Sequence, residues 1–266
     1  MGDLQLAYAQ VLKKWKAQGN TLKALTIHQL QGQMSTYRYG FAWVLLEPLI
    51  FIAAFRMMRK FFGAMAQPSG MTPLMFYVLG VFPIFMFFDG LRTYAVAASR
   101  SKLLDFPTVS PLDLMIAKNV ASFSVYFILF WVLAVTVSNF ESAWPPENVL
   151  KIMFALLACW ILGQGVGLAV SGAYLFFPPL KQFIGYTNFV VRMISGMFFC
   201  ITMIPVTVWP YLTWNPLLHL TEIARDAWFE SYVSPIANPG FVLECVLGTT
   251  LLGLLVERSI RRVPKI

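Results

Sequence analysis

Four ionisable side chains lie inside long apolar runs of this chain: Glu47, Asp89, Arg92 and Arg192. A charge in such a run is costly, so it faces a partner charge, a cavity or a water-filled path. Glu47 stands roughly eight residues into the first run, or ~12 Å along a helix. Asp89 and Arg92 approach the same depth from the second run, and Arg192 from the fifth. Two readings follow. Either Glu47 and Arg92 form an ion pair that only neutralises both, or Arg192, with Arg92, faces a polar path and attracts an anion.

Other chemistry finds no foothold in the residue pattern. Nothing matches GxxxxGK[ST], HExxH or GxSxG, and no metal-ligating set is clustered. Nucleotide binding through a P-loop is therefore not expected of this chain, and an enzyme reading has no active site to point to. His28 and His219 are isolated, and Cys159, Cys200 and Cys245 sit in apolar surroundings without CxxC spacing, as buried thiols do. The aromatic residues Phe41, Trp43, Phe51 and Phe55 of the first run, and Tyr186, Phe189, Phe198 and Phe199 of the fifth, have two readings. They pack against lipid and neighbouring helices, or they line a path on whose aromatic faces sugar rings can stack.

The elements that carry these residues follow from composition. Apolar residues make up 58% of the 266 and charged residues 12%, with a mean hydropathy of +0.68. A soluble domain carries about 25% charged residues. A chain with so few needs an apolar solvent, which the bilayer supplies. Six segments are near or above the ~20 residues that cross roughly 30 Å of hydrocarbon. They run from about Phe41 to Gly63, Leu74 to Ala98, Ala117 to Asn139, Val149 to Phe177, Tyr186 to Val208 and Phe241 to Val256. Pro83 and Pro205 interrupt two of them.

The net charge of +8 is not gathered in one patch, as a nucleic-acid surface would require. Lys13, Lys14, Lys16 and Lys23 precede the first segment, and Arg258, Arg261, Arg262 and Lys265 follow the last. With both termini in the cytoplasm, Arg100, Lys102, Lys118 and Lys181 fall on the same side, as basic loop residues do. Arg56, Arg59 and Lys60 pull against that orientation. Met1 to Asn20 lacks the uninterrupted apolar core of a cleavable signal. Leu4, Tyr8, Val11, Leu12 and Trp15 instead share a helical face, and Leu22, Leu25, Leu30 and Met34 make a second such stretch. Both read as amphipathic helix on the membrane surface, or as helix packed on a partner.

Two connections carry helix-start signals. Ser110, Pro111 and Asp113 suit an N-cap, a first helical position and the positive helix end. They open either a short helix in a cytoplasmic loop or a helix that re-enters the membrane. Asn215 and Pro216 form a second such pair, starting a helix with Leu217, Leu220, Ala224, Ala227 and Trp228 on one side and Glu222, Arg225, Asp226 and Glu230 elsewhere. That helix is too charged to span and dips into the outer interface. The expected fold is all-α and membrane-integral: six transmembrane helices, an N-terminal amphipathic interfacial helix, and an external re-entrant helical segment between helices five and six.

Residues 37–48, YRYGFAWVLLEP, and 211–227, YLTWNPLLHLTEIARDA, carry a specific likeness. Both resemble the inner-membrane permease of capsular polysaccharide exporters in the type-2 ABC transporter superfamily, relatives of the O-antigen export permeases. The resemblance implies a cytoplasmic amphipathic segment over 1–40, a type-2 ABC transmembrane domain over 41–258 and a basic cytoplasmic tail over 259–266. It implies a homodimer in the bacterial inner membrane with two copies of a separate ABC ATPase, which would hold the ATP and Mg. It also implies a periplasmic adaptor, an outer-membrane channel and a lipid-linked, acidic polysaccharide as cargo. In this reading Ser110, Pro111 and Asp113 couple to the ATPase. Asn215, Pro216, His219, Glu222 and Arg225 belong to the external gate. Arg192, Arg92, Glu47, Trp43, Phe51, Phe55, Phe189 and Phe198 are the candidates for the substrate path. An O-antigen or teichoic-acid-type exporter, a secondary transporter acting alone, and a membrane enzyme working on a lipid-linked sugar are the competing readings.

Overall fold

The computed structural model describes residues 16, 18–32, 46–54, 56–57, 70–97, 111–142, 145–177 and 179–261, and every regular element among them is helical. Helix α1 covers residues 18–32 and α2 residues 46–54. They are followed by α3 (Pro73–Ala97), α4 (Pro111–Glu141), α5 (Val149–Phe176), α6 (Leu180–Ile194), the single turn α7 (Trp209–Leu212), α8 (Pro216–Asp226) and α9 (Pro239–Arg261). Among the described residues, α3, α4, α5 and α9 are long and apolar enough to cross a membrane. They coincide with the second, third, fourth and sixth apolar segments. The chain is a membrane protein with several apolar helices.

Helix α5 is the central post, packed on α3 along one side and on α9 along another. Lipid tails are as apolar as leucine, so burial alone does not drive helices together in a bilayer; close backbone approach does. Gly163 supplies it on the α3 side, where an added Cβ would run into the Phe87 carbonyl. Gly165 supplies it on the α9 side, where a Cβ would lie 2.8 Å from the Thr250 nitrogen. Helix α3 is buried at every residue from Met75 to Phe88, Pro83 included. Pro83 frees a carbonyl within α3, which is tolerated where neighbouring helices surround it. Helix α9 has the opposite character, exposing Leu243, Leu247, Leu251 and Leu255 on the surface that lipid would cover.

The end of α4 closes the start of α3. Glu141 accepts hydrogen bonds from the Leu74 nitrogen at 3.0 Å and the Met75 nitrogen at 3.2 Å. These are donors that a helix N-terminus leaves without intrahelical partners, and the carboxylate also complements the positive end of the helix dipole.

One open reading is decided and one expectation changes. Pro111 begins α4 itself, a 31-residue helix without a break, so the cap signal there opens the spanning helix and not a separate short one. Ser110, like the amphipathic face from Leu4 to Trp15, lies outside the described residues. The fifth apolar segment, expected as a helix from about Tyr186 to Val208, is not one helix. Helix α6 stops at Ile194, and the chain continues through 3-10 turns at Ile201–Met203 and Val206–Val208, with Pro205 between them. Gly196 turns the chain with a φ of +73°, a conformation that disfavours any residue with a Cβ. The backbone carbonyls freed there find donors on α8, as described below.

Candidate functional site

Arg192 lies near the end of α6 with only 6% of its surface exposed. Its Nη1 is 4.0 Å from Glu47 Oε1 of α2. Its guanidinium carbon stands 5.6 Å from the ring centre of Phe51, 4.5 Å from that of Phe85 and 4.8 Å from that of Phe88. A guanidinium is held on aromatic faces by the ring quadrupole, most strongly where water is excluded. Glu47 is therefore paired with Arg192, and among the described residues the Glu47–Arg92 pair is not formed; Arg92 is exposed. Asp89 hydrogen-bonds with Ser122 of α4.

The path candidates divide accordingly. Glu47, Phe51 and Arg192 come together, and Phe85 and Phe88 join them from α3. Phe189, one turn before Arg192 on α6, is 65% exposed beside exposed Tyr186 and Val190. Phe198 packs half-buried against the main core. Trp43 and Phe55 lie outside the described residues.

A second cluster lies in α8. Asn215 caps this helix by accepting from the Leu217 nitrogen at 3.0 Å, and Pro216 takes the first helical position, as the sequence signals require. The His219 Nε2–H donates to the Thr213 carbonyl at 2.7 Å, and its ring packs 4.9 Å from that of Phe241 in α9. The helix is not amphipathic in the expected sense, because Glu222 and Arg225 are both fully buried. Arg225 donates to the Gly196 and Phe199 carbonyls, each at 2.7 Å, and lies 4.1 Å from the centre of the Phe76 ring. Glu222 accepts from the Ile201 nitrogen at 3.2 Å, from Arg225 at 3.4 Å and from the Ser234 hydroxyl at 2.7 Å. It also accepts a short bond from the Tyr232 hydroxyl. Burial first, and then the Glu222 carboxylate, push the Tyr232 phenol above its ordinary pKa, so it stays protonated and donates.

Sequence reading placed Glu222 and Arg225 in this segment but missed Tyr232, Ser234 and the Gly196–Ile201 backbone that complete the network. An i, i+3 acid–base pair carries the same signal on an exposed helix as on a buried one. The companions lie 10 to 29 residues away in sequence.

Of the coupling candidates, Asp113 is buried at the start of α4, where its Oδ1 accepts from Gln18 of α1 at 3.3 Å. Leu25 of α1 packs beside it on Leu114 and Ala117. One face of the amphipathic N-terminal stretch is thus used on the chain's own α4, while Lys23, Ile27 and His28 remain exposed.

No protein-family model matches the chain. It is similar, almost end to end, to proteins whose names place them in export. It is 24% identical over 246 residues to the polysialic acid transport protein KpsM of Escherichia coli, covering 92% of this chain and 95% of that one. It is 26% identical over 242 residues to the capsule polysaccharide export inner-membrane protein CtrC of Neisseria meningitidis serogroup B, covering 89% of each. It is 26% identical over 247 residues to the capsule polysaccharide export inner-membrane protein BexB of Haemophilus influenzae, covering 91% of each. The resemblance read from residues 37–48 and 211–227 therefore extends along nearly the whole chain.

Proposed function

We propose that this chain is the permease subunit of an ATP-driven exporter that moves a lipid-linked, acidic capsular polysaccharide from the cytoplasm across the inner membrane. The observation that carries this reading is the likeness to three differently named export proteins over about nine tenths of the chain and of each relative. The four membrane-length helices agree with it.

The chain crosses the bilayer six times with both termini in the cytoplasm. Helix α2 with its flanking residues supplies the first crossing, and α6 with the irregular stretch after it supplies the fifth. Two copies form the path, and two copies of a cytoplasmic ATPase, holding ATP and Mg, dock at Ser110, Pro111 and Asp113. A periplasmic adaptor and an outer-membrane channel carry the cargo onward. Arg192 attracts the cargo's anionic groups when its contact with Glu47 opens, and Phe189 stands on the aromatic face along which sugar rings slide. Asn215, Pro216, His219, Glu222 and Arg225 belong to the external gate.

The test is uptake of a lipid-linked acidic glycan into inverted membrane vesicles that contain this chain and its ATPase. Uptake should require ATP and both proteins. Uptake by this chain alone without ATP would favour a secondary transporter, and chemical alteration of the glycan by the purified chain would favour an enzyme; either result overturns the reading.

A further inference from the structure

Glu222 and Arg225 hold together pieces of chain that would otherwise be independent. The guanidinium reaches across to the Gly196 and Phe199 carbonyls, and the carboxylate takes the Ile201 N–H. Thr221, one residue before Glu222, adds a bond to the Ser195 carbonyl at 3.1 Å. The peptide groups that lose helical partners when α6 ends are thus served by one turn of α8. From the other side, Glu222 collects Tyr232 and Ser234 of the turn that follows α8. Helix α3 completes the enclosure: Phe76 faces the guanidinium, and Gly80 leaves the space it occupies, since a Cβ there would lie 2.6 Å from Arg225 Nη2. The start of α5 is tied on as well, through Asn148 N–H to the Ala227 carbonyl at 2.8 Å and Lys151 to Asp226 at 3.2 Å.

Two fully buried charges are tolerated where each meets its opposite and most of its remaining hydrogen-bonding positions are filled; here both Arg225 Nη atoms are served and Nε is left without an acceptor. Drawing residues 195–201 away from α8 would strand the guanidinium, the carboxylate and several peptide groups together in apolar surroundings. We infer that Glu222 and Arg225 are positioning residues that weld the helix-free stretch 195–201 and the 228–234 turn to α8 and the outer half of α3, and that this body stays closed while the exporter works. The outer side then opens by movement of the whole body and not by parting within it. The second half of this statement rests on the exporter reading.

Cys200 reports on the weld directly, because it is fully buried between two residues whose backbones bond to the pair. In the intact exporter with its ATPase, a membrane-impermeant maleimide would be applied at rest and with the ATPase trapped by vanadate. Labelled peptides are separated by mass spectrometry, which distinguishes Cys200 from Cys159 and Cys245. A Glu230→Cys variant, at an exposed position on the outer turn, supplies the rate of an open site. Cys200 should label at least tenfold more slowly than that site in both states, and Arg225→Gln should raise its rate at least tenfold. Labelling of Cys200 in the unaltered exporter at the open-site rate during turnover overturns the proposal, as does an Arg225→Gln protein in which Cys200 remains protected. Should Arg225→Gln fail to assemble, a Ser195→Cys/Thr221→Cys pair tests the same claim. Export with the pair oxidised should stay within twofold of export with it reduced, and a loss restored by reductant overturns the weld. Absence of ATP-driven export in every form refutes the exporter reading instead, while resting-state labelling of Cys200 still reads the weld.

Discussion

The Arg192 guanidinium sits 4.0 Å from Glu47 Oε1, and its carbon stands 4.5, 4.8 and 5.6 Å from the ring centres of Phe85, Phe88 and Phe51. The Glu47 side chain keeps 25% of its surface exposed, against 8% for Arg192. The cation is shared between the rings and a partly exposed carboxylate at the limit of ion-pair distance. Glu47→Gln should therefore cost about 1 kcal/mol in detergent, and a double-mutant cycle with Arg192→Gln should give a coupling of no more than about 1 kcal/mol. Arg192→Gln should reduce export at least tenfold while leaving insertion intact. Unchanged export would remove Arg192 from the mechanism.

Glu141 serves two N–H groups at the head of α3. Replacing it by alanine should cost about 1–2 kcal/mol, a typical value for a lost helix cap, and glutamine should recover part of it. Thermal unfolding of the three proteins in one detergent measures the order. Equal melting temperatures would show that water replaces the carboxylate at no cost.

The seam between α3 and α5 has no room for a side chain at Gly163, whereas Gly248 on α9 has nothing within 4 Å of an added Cβ. Gly163→Leu should abolish recovery of folded protein. Gly248→Leu should leave the melting temperature of the purified protein unchanged or raised, since leucine also has the better helix propensity. The reverse ranking would mean that α3 and α5 do not approach as described.

Tyr232 makes the Glu222–Arg225 cluster alkali-sensitive. Its phenol is held above the ordinary value by burial and by Glu222, so the folded chain keeps a proton that the unfolded chain releases near pH ~10. The folded state then binds more protons, and stability falls as pH rises through and beyond that value; below it, the contribution is fully present. Tyr232→Phe should cost about 1–2 kcal/mol at neutral pH, through the acceptor left short at Glu222. It should also flatten the loss of melting temperature between about pH 9 and 11. An unchanged slope would place the titration elsewhere.

Much of this architecture can be read one residue at a time. The bounds of α3, α4, α5 and α9 follow from how many apolar residues run together, since each must bridge the same hydrocarbon thickness. The Asn215–Pro216 start of α8 is local as well, because a cap needs only its own side chain and the next turn. The likeness at residues 37–48 and 211–227 pointed to export permeases before any geometry was known, and the relatives' alignments bear it out along nearly the full chain.

Composition also misled in identifiable places. Hydropathy adds residue by residue and so runs straight from Tyr186 to Val208, yet α6 ends at Ile194 because Gly196 turns there and Arg225, 29 residues later, accommodates its carbonyl. The same local logic kept Glu222 and Arg225 off the apolar side of α8, and offered Glu47–Arg92 as one of two readings on depth alone, whereas both residues of the first pair are buried and Glu47 meets Arg192.

From the sequence alone came the membrane solvent, the apolar helices and the likeness to export proteins, since all three are carried by composition and short local patterns. Which charges meet was decided only by tertiary structure. A buried ion finds its partners through space, from α2 and α3 for Arg192, and from the chain after α6 and the turn after α8 for the Glu222–Arg225 pair.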